Sequence, residues 1–305
     1  MKKFILKITL FLAIFTLIDI IYGKTCEYLR KNAHGGNTYI DNLICDSIQH
    51  DILIFGSSRA HVQYDPVIIA DSLGMDCFNC GYNGMGIIYH YGRYKIITQR
   101  YHPKVIIYDI LPVLDMMIRD DNIIFINNLR PHYDQAGVDS IFWKIDSTEK
   151  IKMYSNTYKY HALLRGLFGD YKSHHYSKLG YEPSISQMQN EEIIQEKTDY
   201  QIDELKMFYL ESFIKDCIAS HTKLIFTASP RYGYDETGNA FDPLLSLCHK
   251  YNIPFLNHYT DKRFTHNKEY YHDATHFCKK GSTLYTKDLI KELRIIIHDN
   301  RENIH

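Results

Sequence analysis

Two short segments far apart in the chain hold the residue types that could do chemistry. The first is Asp51-Ile-Leu-Ile-Phe-Gly56-Ser57-Ser58-Arg59-Ala60. An apolar run of this length reads as a buried strand, and it ends in a glycine followed by two hydroxyls. Glycine at the carboxyl end of a parallel strand permits a tight turn, and the helix that follows begins with free backbone N–H groups. A serine there is exposed beside donors that can hold an oxyanion. Serine alone is a poor nucleophile and needs a base held by an acid. The second segment, His272-Asp273-Ala-Thr-His276-Phe-Cys-Lys-Lys-Gly281, offers both. Asp and His three residues apart in a helical turn lie on one side. The carboxylate then fixes the imidazole tautomer while the other ring nitrogen faces a serine. The spacing thus gives Ser58 as nucleophile, His276 as general base and Asp273 as its orienter. The plainer alternatives are a helix N-cap for Ser58 and a surface role for His276, one of 17 histidines.

Other polar residues divide between chemistry and structure. Arg59 could hold a substrate carboxylate or phosphate or form a structural ion pair, and Arg231, in Ser229-Pro-Arg-Tyr, faces the same strand-end rim, where it could contact substrate. His272 and His276 have the i, i+4 spacing of a metal pair, but no third ligand or H-E-x-x-H context accompanies them, so no metal is expected. Gly81-Tyr-Asn-Gly-Met-Gly has neither dinucleotide nor phosphate-loop spacing. Cys77-x-x-Cys80 sits in a strand-like run rather than at the start of a helix, which favours buried structural thiols over redox chemistry. Cys26 and Cys45 could pair in an oxidising compartment.

The elements that must position these groups follow an α/β rhythm. Short apolar runs at Asp51–Phe55, Met75–Cys80, Lys104–Ile110, Lys223–Ala228 and Pro254–Asn257 read as buried parallel strands. Helices are expected around Pro66–Leu73, with Asp65 as cap, around Tyr89–Tyr101, from the cap-and-proline pair Asp242-Pro243 to Lys250, and over Lys279–His298. The expectation is a three-layer α/β/α fold with a flavodoxin-like, doubly wound parallel sheet of about five strands. Residues 51–298 would form this domain, with a tail at 299–305. A Tyr- and His-rich stretch, about 114–214, reads as a long, partly helical insertion of the kind that forms lids. Its part from Glu191 to Ala219 reads as helix.

Ahead of the domain, Lys2, Lys3 and Lys7 precede an apolar run, Ile8–Tyr22, broken only by Thr9, Thr16 and Asp19. Counted from Phe4 the run is just long enough to cross a bilayer, and no small-residue cleavage site follows. An uncleaved anchor over 1–23 is expected, with the basic end inside and the rest of the chain outside the cytoplasm. Residues 24–50 read as a polar linker. The 305 residues carry a net charge of −1, with 45% hydrophobic and 23% charged, an ordinary globular balance that gives no bulk attraction to nucleic acid. The 26 tyrosines set against a single tryptophan read as compositional bias as readily as sugar-facing surface.

Gly56-Ser57-Ser58 after the first strand, with Asp273-x-x-His276 before the last helix, resembles the SGNH (GDSL-like) hydrolases, most of all their membrane-anchored members. That resemblance places the nucleophile at Ser58, with Ser57 where the family usually has Asp. It assigns the second oxyanion donor to Gly81, in Asn79-Cys-Gly81-Tyr-Asn83-Gly84, beside the N–H of Ser58. The family's third block, Gly-x-Asn-Asp, is replaced by Val105-Ile-Ile-Tyr108-Asp109, so Asn83 is the substitute donor or two backbone N–H groups suffice. The resemblance implies a cofactor-free esterase or O-acyltransferase acting on a cell-surface polysaccharide or another acylated glycan. A catalytically weak relative that binds glycan or assists a membrane-bound acyltransferase is the second implication.

Overall fold

The computed structural model describes residues 1–119, 122, 126–189 and 201–298. In chain order its elements open with α1 (Lys2–Lys31), α2 (Gly36–Asn42), β1 (Ile52–Gly56), α3 (Ser58–Gln63), α4 (Pro66–Leu73), β2 (Cys77–Asn79), α5 (Ile87–Ile97), β3 (Val105–Asp109) and α6 (Pro112–Asp115). There follow α7 (Val138–Ile145), α8 (Glu149–Lys152), α9 (Asn156–Lys159), α10 (Leu164–Lys172) and α11 (Glu204–Ala219). The chain continues through β4 (Lys223–Ala228), α12 (Asp242–Tyr251), β5 (Phe255–Asn257) and α13 (Lys262–Thr265) to α14 (Lys279–His298).

These pack as two compact units. One comprises Met1–Ile48, Lys95–Gln99 and Asn122–Tyr176, and the other Gln49–Tyr94, Arg100–Asp121 and Ser177–His305. The second unit is built on a five-stranded, all-parallel sheet in the order β2-β1-β3-β4-β5. This is the doubly wound order expected from the sequence. Alternation along each strand sends side chains to both faces, and both are covered. Ile52, Ile54, Val105, Ile107 and Ile225 pack with Ala60 of α3, Ile69 and Leu73 of α4, and Leu289, Ile290 and Leu293 of α14. On the other face Phe55, Tyr108 and Phe226 form an aromatic cluster with Phe213 of α11, which Tyr94 of α5 also joins. Local signals set the helix ends. The Asp65 side chain accepts from Val67 N and Ile68 N ahead of Pro66, and Gly74 closes α4 in the left-handed region. Asp242 differs from expectation: it is the first helical residue, and Phe241 occupies the cap position without a side-chain bond.

The first unit departs from the sequence reading. Residues 24–50 are not an irregular linker, because α1 runs on to Lys31 and α2 fills 36–42. The stretch 114–214, which lies between β3 and β4, divides between the two units. Its portion 122–176 packs with the N-terminal helix, and α11 packs in the sheet unit. Polar residues on α1 explain the first of these. The Asp19 carboxylate accepts from Ser155 Oγ, Asn156 N, Asn156 Nδ2 and Thr157 N, which satisfies the first N–H groups of α9. Glu27 accepts from the Tyr160 hydroxyl and pairs with Arg30 at 3.0 Å. Cys26 and Leu29 of α1 share a small core with Tyr160 and Leu167. An added Cβ at Gly23 would stand 2.4 Å from the Asn156 side chain, so α1 and α9 touch through the missing side chain. Residues 1–18 of α1 are exposed on every face, and burial begins at Asp19. The helix expected from Glu191 is seen from Glu204; 191–200 and the tail at 299–305 lie outside the described residues.

Candidate active site

The carboxyl end of β1 is where the sheet order reverses, a position at which open α/β sheets place ligands. Gly56 ends β1 with φ +135°, and a Cβ there would meet the Asp109 carbonyl of β3 at 2.6 Å. Only glycine fits that turn. Ser57 then caps α3, its Oγ accepting from Arg59 N at 3.4 Å, and Ser58 is the first helical residue. The N-cap role thus belongs to Ser57, and the Ser58 hydroxyl is directed elsewhere.

Ser58 Oγ lies 2.7 Å from His276 Nε2. On the far side of the ring, His276 Nδ1 is 3.0 Å and 2.9 Å from the two carboxylate oxygens of Asp273. An N–H at Nδ1 donating to Asp273 leaves Nε2 as the acceptor for the serine proton. The sequence placed Asp273 and His276 on a helical turn; the structure holds them in a tight loop before α14. Tyr271 and Phe277 bridge its base, and the Asp273 Oδ1 accepts from Thr275 N and His276 N at 2.7 and 2.8 Å. Partial burial works against the Asp273 carboxylate, but the His276 ring and these two N–H groups outweigh it and hold its pKa down at about 2. It is therefore ionised wherever an imidazole could act as a base.

Three buried side chains, to which no role could be assigned from sequence, fix the helix that carries Ser58. Gln63, at the end of α3, donates to the Thr275 carbonyl at 2.9 Å and so ties α3 to the histidine loop. Asn79 Nδ2 donates to the carbonyls of Ala60 and Tyr64 at 2.7 and 3.0 Å, while its Oδ1 accepts from Gly81 N at 2.9 Å. Asp109 accepts from the Tyr64 hydroxyl at 2.5 Å and from Ser229 N at 2.8 Å, and Arg59 Nε stands 3.8 Å away. Burial raises the Asp109 pKa against the opposing pull of Arg59 and of these donors. The only sequence sign of this frame is polar residues at strand ends, where side chains become buried.

Several expectations change. Arg59 is fully buried, donates to Ser229 Oγ and to the Ser229 carbonyl, and lies over the Tyr259 ring at 5.0 Å. Of its two possible roles, the structure gives it the internal one, clamping α3 to the ends of β3 and β4. Arg231 is likewise buried, donating to the Tyr259 hydroxyl at 3.0 Å and lying over Tyr234 at 4.6 Å. Neither is presented to a substrate. The Gly81 N–H is committed to Asn79 and so is not the oxyanion donor expected of it. The N–H of Ser58 and the exposed Asn83 have no partner among the described residues. Asp109 serves the buried frame. His272 turns to Ser186 Oγ at 2.8 Å rather than joining His276 in a pair. Cys26 and Cys45 are buried free thiols rather than a disulfide, and burial raises the Cys77 pKa well above the ordinary thiol value.

No family model matches the sequence, and no curated protein matches it. Solved structures do. An acetyl xylan esterase is 10% identical with a TM-score of 0.41, over 79% of this chain and 98% of that one. A GDSL-like lipase from Bacteroides thetaiotaomicron is 12% identical with a TM-score of 0.35, over 79% and 88%. At such identities the likeness concerns the fold and nothing finer.

Proposed function

We propose that the protein is a membrane-anchored serine esterase or O-acyltransferase of the SGNH type, working outside the cytoplasm on an acylated cell-surface glycan. The observation that carries this reading is the hydrogen-bonded series Ser58–His276–Asp273 at the carboxyl end of β1. In the proposed reaction Ser58 Oγ attacks the acyl carbonyl while His276 Nε2 takes its proton, and Asp273 stabilises the resulting imidazolium. The Ser58 N–H, with Asn83 as second donor, receives the carbonyl oxygen as it becomes charged. Collapse expels the alcohol, protonated by His276, and leaves an acyl-serine. Water then gives an esterase; a sugar hydroxyl gives a transferase. The polar residues needed are all on this chain, and the step requires no cofactor.

The membrane reading rests on α1. Residues 2–18 are exposed on all sides, and the helix reaches a mean hydropathy of 2.4 over an 18-residue window. Such a surface suits lipid rather than water, and Lys2, Lys3 and Lys7 put the N-terminus on the cytoplasmic side. The burial of Gly23, Cys26 and Leu29 argues that the helix is kept, since removing it would empty the core of the first unit.

A second reading has its own observation. With Gly81 N–H engaged and no Asn in the third block, the oxyanion is served by fewer donors than the family pattern supplies. Each lost donor can cost ~10²–10³ in rate. A weak enzyme that binds glycan, or hands acyl groups to or from a membrane-bound acyltransferase, fits that deficit. The full chain in detergent, given an O-acetylated polysaccharide, separates the two. Acetate release or acetyl transfer abolished by Ser58→Ala supports the enzyme. Glycan binding without turnover supports the auxiliary reading.

A further inference from the structure

The level at which α1 would leave the bilayer is fixed by side chains on opposite faces of the helix. On one face, Asp19 is hydrogen-bonded to residues 155–157. On the other, Ile20 and Ile21 remain 42% and 56% exposed. A helix rises 1.5 Å per residue, so the apolar surface continues roughly one half-turn beyond Asp19. The segment bonded to Asp19 therefore lies at or just below the depth at which the opposite face still asks for lipid.

Just ahead of that segment, a turn carries two large side chains that the described residues leave exposed. Ile151 is 76% and Tyr154 88% exposed. They stand three residues apart, with Tyr154 N donating to the Ile151 carbonyl at 3.2 Å, so both project from one turn. Tyr154 immediately precedes Ser155, whose hydroxyl is 3.0 Å from Asp19. Lys152, between them, is turned back to Asp146 at 2.7 Å and Glu149 at 3.1 Å. Holding the intervening cation inward leaves an apolar residue and a tyrosine to face outward. Tyrosine is the residue type favoured at the headgroup level, where its ring and its hydroxyl meet different surroundings.

We infer that the Ile151–Tyr154 turn is a second membrane contact that dips into the lipid headgroup region beside α1. The partner is the phospholipid interface of the same bilayer. The inference rests on the reading of α1 as a membrane helix. With one helix alone, α1 and the unit bonded to it could tilt together in the bilayer. A second contact beside Asp19 fixes its inclination to the membrane plane.

Tryptophan fluorescence of the full chain in phosphatidylcholine vesicles tests this. The single native tryptophan is removed by Trp143→Phe, and single tryptophans are placed by Tyr154→Trp, Phe11→Trp and Tyr176→Trp. Phe11 lies within the apolar run. Tyr176 packs on Tyr39 beyond the end of α1, and that end is about 18 Å further along the axis than Asp19. Nitroxide lipids labelled near the headgroup are expected to quench position 154 at least about twofold more than position 176, with aqueous iodide showing the reverse order. If position 11 is quenched by lipid while 154 behaves like 176, the second contact is wrong and the anchor stands. If position 11 is reached by iodide and not by lipid, the membrane reading fails and the inference falls with it.

Discussion

Gly81→Ala should slow the chemistry of Ser58 although residue 81 keeps its N–H. A Cβ at position 81 would lie 2.5 Å from His61 N and 2.9 Å from the Ala60 carbonyl carbon. Ordinary contacts between such atoms are about 3.5 Å, so the two backbones must part by about 1 Å. Neither atom can rotate out of the way, because both belong to α3 and Asn79 clamps that helix to the strand beneath. Moving α3 carries Ser58 with it. A displacement of that size along the 2.7 Å Ser58–His276 bond takes it beyond hydrogen-bonding range. A misplacement of ~1 Å in a reacting group costs roughly 10² in rate, and overpacking costs about 1–3 kcal/mol of stability. The assay is the second-order rate of fluorophosphonate labelling at 25 °C, with thermal unfolding to show that the variant is folded. A residue acting only through its backbone N–H would tolerate alanine. A folded Gly81→Ala protein labelled within about threefold of wild type would therefore refute the reasoning that α3 position controls the serine.

Other consequences are open to measurement. Asp273→Asn should cut ester turnover by ~10²–10⁴, because the imidazole loses the partner that fixes its tautomer. With the Asp273 carboxyl held near 2, the loss should persist from pH 5 to 9; recovery of the variant at one end of that range would count against this role. Asp19→Ala removes the acceptor of four hydrogen bonds at the start of α9, and limited proteolysis should cut 149–172 faster than in wild type while leaving the sheet unit intact. Buried Asp115 gives a stability signature. Burial outweighs the donors Leu111 N and Tyr108 Oη and raises its pKa to about 7. A carboxyl with a raised folded-state pKa takes up protons on folding, so stability falls as pH rises from about 4 and levels off above about 7. Denaturant unfolding of the wild type should show up to about 3 kcal/mol lost between pH 5 and pH 8, and Asp115→Asn should flatten that slope.

The sheet was legible because its strands are continuous apolar runs, each bounded by glycine, proline or charge. Pro66 after Asp65, and the glycine that follows the apolar run of β1, placed helix and turn to the residue. Ser58, Asp273 and His276, which the fold brings into one hydrogen-bonded series, were legible as types in order, but the loop that joins Asp273 to His276 was not. Its shape comes from the Asp273 carboxylate gathering two nearby N–H groups, and the spacing alone fits a helix equally well. The support for α3 was hidden for a different reason. Asn79, Gln63 and Asp109 matter through partners that only folding brings together, 15 to 212 residues away in sequence. For the same reason a substrate contact stayed open for Arg59 and Arg231: strand-end position said nothing about burial. In the first unit, Asp19 stood out in the sequence only as a break in an apolar run. Its four donors come from residues 155–157, whose sequence carries no mark of the helix they meet.

The most direct test of the central proposal is labelling of the full chain with a fluorophosphonate, followed by mass analysis of the modified peptide. One adduct is expected, on Ser58, formed at neutral pH and lost in both Ser58→Ala and His276→Ala. Folded wild-type protein that stays unlabelled, or an adduct that survives in His276→Ala at the wild-type rate, would contradict the proposal that His276 activates Ser58.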